Sequence, residues 1–367
     1  MQSRVLSTVT RVALLGLLAL SSASAQAKKD AKKRTEPKFK PDSTGKISKF
    51  FTSEEPITVT LTTNLKRIRG DKGENAPWRP GSLTFNDSTG KAVTIPIRLK
   101  THGIWRLKNC DFPPIRLNFN NDSTKHTVFH GLDQPKLTNY CRDNEEYEQY
   151  VLRELQLYRI YRLLTPASHA VRLLRVTYVD SATAKPLTTR YAFIGEEGGP
   201  MAARLNGRIL KSKGATPDDL EPFADVVLGL FQYLIGNSDF ALGALHNAEI
   251  VGQENGNFIP VGYDFDFSGA VNARYATPDP RLGTRTVRER IYRGFCVPPD
   301  EYPKAVALFN AKKDSIYALY HDQIGKLVQP DIVKETLEYF DDFYKTINDP
   351  RALKRNVIEA CLGGGRR

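Results

Sequence analysis

The chain has 367 residues, four cysteines and 53 Lys/Arg against 41 Asp/Glu, a formal charge of +12. That length suits one large domain or two closely packed ones, and the excess of positive charge comes without any nucleic-acid recognition motif, so no nucleic-acid partner is expected.

In chain order, residues 1–25 read as a secretory signal. "MQSRVLSTVTR" carries Arg4 and Arg11 and no acid, "VALLGLLAL" is too short to span a bilayer, and "ASA" at 23–25 is a small-residue cleavage site. The mature chain is expected to be exported, to the periplasm or the extracellular space. Residues 26–50 form a basic arm, with eight Lys/Arg against three acids in 26–46. Such a segment buries too little apolar surface to order itself and reads as a solvated linker, or as a contact to an anionic envelope surface.

From residue 51 to 197 the chain is β-rich. "PITVTL" (56–61), "SLTFN" (82–86), "KAVTIPIRLK" (91–100) and "IRLNF" (115–119) alternate apolar and polar side chains, which predicts an antiparallel sheet. "NEEYEQYVLRELQLYRIYRLL" (144–164) is a helix with a stripe through Tyr147, Val151, Glu154, Tyr158 and Tyr161. Glu154 on that stripe asks for a cationic partner, Arg153 and Arg159 being the local ones. "AVRLLRVTYVD" (170–180) and "RYAFIGEE" (190–197) form a further strand pair.

Residues 198–367 turn helical. "DLEPFADVVLGLFQYLIG" has a broad apolar face and stops at Gly236–Asn237; "NAEIV" and "FIPVGYDFDF" flank Asn255–Gly256, a hairpin signal; residues 301–360 are mainly helical. Four cysteines allow three pairings. Cys110–Cys141 and Cys296–Cys361 are expected, because each pair then lies within one half of an exported chain.

The chemistry concentrates in "GNSDFALGALHN" and "VGYDFDFSG". The first delivers Asp239, His246 and Asn247 after a buried helix, and the second puts Asp264 and Asp266 into what reads as a buried strand. Burying unpaired carboxylates costs several kcal/mol, so oxygen donors converging there point to a hard cation such as Mg²⁺ or Mn²⁺. An Asp on a loop with an Asn and a second Asp is also the arrangement of kinase phosphoryl transfer. Asp239 and Asn247 are eight residues apart, however, and neither a protein-kinase Gly-rich loop nor a Walker A sequence is present.

These two stretches resemble the core of the spore-coat CotH kinase-like family, and more distantly HipA-type kinases. "RLKTHGIWR" resembles the family's glycine-turn segment, with His102 in place of an Arg, and "YAFIGEE" resembles the strand running into a Glu at the hinge. The resemblance implies an α+β, bilobal kinase-like fold. Residues 51–197 would be a mostly antiparallel β N-lobe, and 198–367 a mostly α C-lobe with a catalytic hairpin.

It also implies ATP as the nucleotide, with Mg²⁺ or Mn²⁺. Asp239 would be catalytic, with Asn247, Asp264 and Asp266 at the metal and Glu154 and Glu196 at the nucleotide. The acceptor would be a hydroxyl of a protein, sugar or lipid head group. Pro113 and Pro114 stand where the family's phosphate-gripping lysine is expected, leaving Arg116, Lys100 and Lys136 as substitutes.

Two other readings accompany this one. Glycoside hydrolysis by Asp239 with Asp264 or Asp266 needs only two carboxylates but leaves Asn247 without a role. A non-catalytic exported scaffold or envelope-binding protein would account for the missing lysine. His246, with no second His at zinc-like spacing, reads as a structural hydrogen-bonder. Arg288, Arg290 and Arg293 read either as an anion site or as a salt-bridged surface helix.

Overall fold

Seven strands with alternating burial build the first half of the fold. In the computed structural model, which describes residues 45–73 and 75–363, these are β1 (Ile57–Thr63), β2 (Arg79–Asn86), β3 (Ala92–Thr101), β4 (Ile115–Phe119), β5 (Lys136–Thr138), β6 (Val171–Asp180) and β7 (Pro186–Gly195). They close into a barrel in the order β1-β2-β3-β4-β5-β7-β6. All pairings are antiparallel except the closing one, where β1 runs parallel to β6 from Ile57↔Leu174 to Thr63↔Asp180. Inward residues such as Leu61, Leu99, Ile115 and Leu117 are fully buried, as period-two patterning requires when one face is core.

This closed barrel overturns the expected bilobal kinase-like fold. The protein is α+β, but its strands do not form an open antiparallel lobe, and the described residues fall in one compact unit. Alternation marks a strand without naming its neighbour, and the closing pair joins segments far apart in sequence.

Helix α1 (Glu145–Leu164) packs against β6 and β7 and against the helices that follow. Asn144 caps it, its side chain accepting from the Tyr147 N–H. The helix is buried nearly all round despite its polar residues, because most of its polar groups find partners, Arg159 Nε being an exception. Gln149 donates to Leu327 O and Gln156 to Leu319 O, while Arg153 donates to Ala270 O. Arg159 pairs with Glu54 and Asp322. Both local partners foreseen for Glu154 are therefore engaged elsewhere.

The second half contains α2 (Gly198–Arg204), α3 (Pro222–Ile235), α4 (Glu301–Ala318) and α5 (Pro330–Asn348). A separate three-stranded sheet has the order β10-β9-β8, formed by β8 (Gly207–Leu210), β9 (Ala248–Gln253) and β10 (Phe258–Gly262). The β9–β10 hairpin turns at Gly256, where φ is +88°. β10 ends at Gly262, so Asp264 and Asp266 lie in the loop after the strand rather than within it.

The expected signal, 1–25, and the arm up to residue 44 lie outside the described residues. The arm's end belongs to the fold: Lys49–Phe51 form a 3₁₀ turn and Phe50 is fully buried. Both disulfides, Cys110–Cys141 and Cys296–Cys361, are formed and fit an oxidising, exported compartment. Among the described residues no helix is long and apolar enough to cross a membrane.

Candidate functional site

The acid-bearing loop is positioned from both sides. Helix α3 stops at Gly236, whose φ of +63° is a left-handed cap conformation suited to glycine. Asn237 then orders the turn: its amide donates to Gln232 Oε1 and its Oδ1 accepts from the Asp239 N–H at 3.0 Å. Arg293 donates to Ser238 O at 2.9 Å and supports the same turn.

The Asp239 carboxylate is held at each oxygen. His246 Nε2 lies 2.9 Å from Oδ1, and Asn247 Nδ2 donates to Oδ2 at 3.0 Å. Asn247 O accepts from the Tyr263 N–H at 3.1 Å, which brings Asn247 next to Asp264. Leu245, Asn247 and Asp264 all have left-handed φ (50°, 48° and 61°). Such conformations cost of order 1 kcal/mol or more in non-glycine residues and concentrate at binding and catalytic sites.

Helix α1 fixes the other side. The Asp264 N–H donates to the Tyr158 hydroxyl at 2.8 Å and the Phe265 N–H to Glu154 Oε1 at 3.3 Å. Tyr275 OH donates to Asp266 Oδ2 at 3.0 Å. Glu154, Asp264 and Asp266 are close enough to repel one another. Burial, then the charges of Asp266 and Asp264, push the Glu154 carboxyl well above its usual range. Burial and the Asp264 charge push Asp266 up to about 7, against the pull of Arg106 and of the Tyr275 hydroxyl, with Asp239 adding further repulsion.

Arg106 is the cation that faces these acids, and sequence reasoning missed it. It stands on a short helix, Trp105–Asn109, inside the segment read as a glycine turn. Burial opposes its charge, yet the field of Tyr275, Asp266, Glu154 and Asp264 raises its pKa. As a residue it is partly exposed, but its Nε is enclosed without a partner, and its Nη2 donates to Asn139 O rather than to a carboxylate. The one available signal was its place four residues before Cys110, whose disulfide to Cys141 holds Asn139 alongside.

A cavity of about 350 Å³ adjoins the cluster, lined by Arg116, Lys136, Tyr158, His169, Glu249 and Tyr263 together with the 195–199 segment. Lys136 Nζ lies 5.1 Å from the Tyr263 ring centre. Burial and then the charges of Lys136, Arg116 and Arg106 hold the His102 imidazole down at about 3, so three cations converge on the barrel side. A ligand bearing anionic groups would meet that field first.

The structure separates the foreseen site residues into two groups. Asp239, Asn247, Asp264, Asp266 and Glu154 come together around the loop, and Arg116 and Lys136 line the cavity beside it. Lys100 lies over Trp78 at 4.8 Å and is not among the cavity's lining residues, so it is no substitute for the missing lysine. Glu196 borders the cavity, but Arg204 takes both its oxygens at 3.0 and 2.8 Å and the Ala170 N–H adds a third bond, so its role is structural.

Residues 287–296 form no helix. This corrects the surface-helix reading of the arginine cluster, and Arg290 donates to Tyr233 O and Leu234 O and lies over the Tyr339 ring.

Asn247, Asp264 and Asp266 offer oxygen donors of the kind a hard cation takes. Asn247 uses its amide nitrogen on Asp239, leaving its carbonyl oxygen, and no ion pair engages Asp264 or Asp266 among the described residues. No group of three or more His, Cys, Asp or Glu side chains is arranged to hold a metal among the described residues. A cation here fits the Mg²⁺ manner of binding, in which one or two carboxylates are completed by water and substrate phosphates. Models of known protein families and curated proteins give no match to this chain.

Proposed function

We propose that this exported protein binds a nucleotide in the cavity beside Tyr263 and transfers its terminal phosphoryl group to a hydroxyl acceptor. In this reading Asp239 takes the acceptor's proton, and Arg116 and Lys136 face the phosphates. Asn247 and Asp264, with Asp266 beside them, would hold a divalent cation, which neutralises phosphate charge when bound. The leader and the two disulfides support export to the periplasm or beyond.

One observation carries the reading. Acids that repel one another, Asp264 among them on left-handed backbone, lie beside a cavity lined by Arg116 and Lys136. Arg106 is the cation that faces Glu154, Asp264 and Asp266, and a bound cation would relieve the repulsion that raises two of these carboxyls. His246 and Asn247 orient the Asp239 carboxylate while leaving it partly exposed, as a general base requires.

The test has two stages. Melting temperature should rise with ATP plus Mg²⁺ or Mn²⁺ by more than with either alone. Incorporation of the labelled γ-phosphoryl group should then fall by at least ~100-fold in Asp239→Ala. No thermal shift with any nucleotide and metal would end the proposal, and equal incorporation would remove Asp239 from catalysis.

A second reading, a non-catalytic exported binding protein, is favoured by one specific feature. Lys136 sits over the Tyr263 ring instead of pairing with Glu154, so no lysine–glutamate pair grips phosphate. Nucleotide binding without transfer would select it.

A further inference from the structure

Three basic side chains stand in one row across three strands of the barrel. Lys100 of β3 lies directly opposite Arg116 of β4, and Arg116 lies directly opposite Lys136 of β5. Directly opposed residues project from the same face of a sheet, and the neighbouring Leu99, Leu117 and Leu137 are core, so the row faces outward. At a strand spacing of about 4.8 Å the row is roughly 10 Å long. An aromatic ring flanks each end. Lys100 Nζ is 4.8 Å from the Trp78 ring centre, which Arg98 also approaches at 5.7 Å, and Lys136 Nζ is 5.1 Å from that of Tyr263.

Like charges directly opposite one another destabilise a sheet. Among the described residues no ion pair relieves Lys100, Arg116 or Lys136. Arg116 donates to Gln134 O at 3.2 Å, a neutral acceptor. Glu197 lies in the field of Arg116, and Glu249 in that of Lys136. Both carboxylates are engaged elsewhere: Glu197 accepts from the Gln134 N–H at 3.1 Å, and Glu249 pairs with His169 at 3.4 Å. The row is therefore a cost to the empty fold that an anionic ligand removes.

Arg116 and Lys136 line the cavity, whereas Lys100 is not among its lining residues. The row thus leads out of the cavity onto the barrel surface beside Trp78, and a ligand confined to the cavity does not use all of it. Strands β3, β4 and β5 are each paired on both sides, so they offer no free backbone edge to an extended peptide. Recognition falls to side-chain charge, and lysine ammoniums beside an arginine fork suit phosphate oxygens. We infer that this row binds a chain of linked phosphate groups longer than a triphosphate, running from the cavity to Trp78. The inference needs no nucleotide, metal or phosphoryl transfer.

The experiment measures binding of tripolyphosphate, long-chain polyphosphate and poly(glycerol phosphate) to the full exported chain by calorimetry without metal. Poly-glutamate of matched charge is the comparison, and ATP with Mg²⁺ is measured alongside. At least one long phosphate chain should bind more tightly than both tripolyphosphate and poly-glutamate, and the one that does identifies the linkage. Lys100→Ala should weaken that chain about two- to fivefold at low salt and lower the slope of log affinity against log salt by about one. Its binding of tripolyphosphate and of ATP with Mg²⁺ should be unchanged, and its thermal unfolding reports whether it has folded. The basic segment 26–46 is present in every variant, so the difference reports on the row. No binding of either long chain, poly-glutamate binding as tightly, or Lys100→Ala binding like the wild type would each overturn the inference and leave the nucleotide reading intact. Long-chain binding that depends on Lys100, with no binding of ATP, would uphold the inference and end the nucleotide reading.

Discussion

The backbone N–H of Asp264 donates to the hydroxyl of Tyr158 at 2.8 Å, so one tyrosine of α1 holds the acid-bearing loop in its left-handed turn. Tyr158→Phe removes that acceptor and leaves a partly buried N–H unpaired. The variant should lose about 1–2 kcal/mol in urea unfolding and bind nucleotide with metal several-fold more weakly. Unchanged stability and binding would show that Glu154 alone positions the loop.

Arg106→Leu removes the cation that, among the described residues, faces Glu154, Asp264 and Asp266. The fold should lose about 3 kcal/mol, because uncompensated charge is left enclosed. Adding Asp266→Asn to that background should recover part of the loss, since it deletes a repelling carboxylate. Strict additivity of the two changes in a denaturation cycle would mean that Arg106 does not sense the acids.

Another buried carboxylate, Asp225, lies on α3. Asp225 is 1% exposed, and neither of its oxygens has a hydrogen-bond partner. Burial, then the Glu221 charge, pushes its carboxyl up from 3.8 to about 7. The unfolded chain releases this proton near 3.8 and the folded one only near 7. The protonated form's contribution to stability is therefore full below 3.8 and is lost as pH rises through 7, by about 4 kcal/mol at most. Asp225→Asn should flatten this limb of the stability curve and melt higher than the wild type at pH 8. A parallel pair of curves would exclude Asp225 as the source.

The two disulfides close loops of 31 and 65 residues. On chain entropy each is worth about 4 kcal/mol, the longer loop slightly more. Replacing both cysteines of either pair by serine should lower stability by that order. Loss of Cys110–Cys141 should also weaken nucleotide binding, because it frees the backbone that carries Asn139 and hence Arg106. Binding unaffected in Cys110→Ser/Cys141→Ser would show that Arg106 is held by other contacts.

Local pattern was enough for much of this protein. Alternation located most of the barrel strands, helical spacing located α1 and α3, and Asn255–Gly256 located the hairpin. Separation along the chain picked the two disulfides from three pairings. The acids of the loop were visible because Asp264 and Asp266 interrupt an apolar run. These features lie within a few residues of their cause, through side-chain period, turn geometry or the cost of burying charge.

Tertiary structure alone decided what those elements meet. Barrel closure depends on β1 lying parallel to β6, a pairing between segments whose alternation would suit several neighbours equally well. Which cation faces the acids was settled by a short helix after Gly103, so that Arg106, and neither Lys100 nor a local arginine of α1, reaches them. The His169–Glu249 pair joins residues 80 positions apart across a cavity, and neither residue carries a local signal of the other. Side-chain chemistry is written residue by residue, whereas a charge's partner is fixed only when the chain has folded and brought the two within a few ångströms.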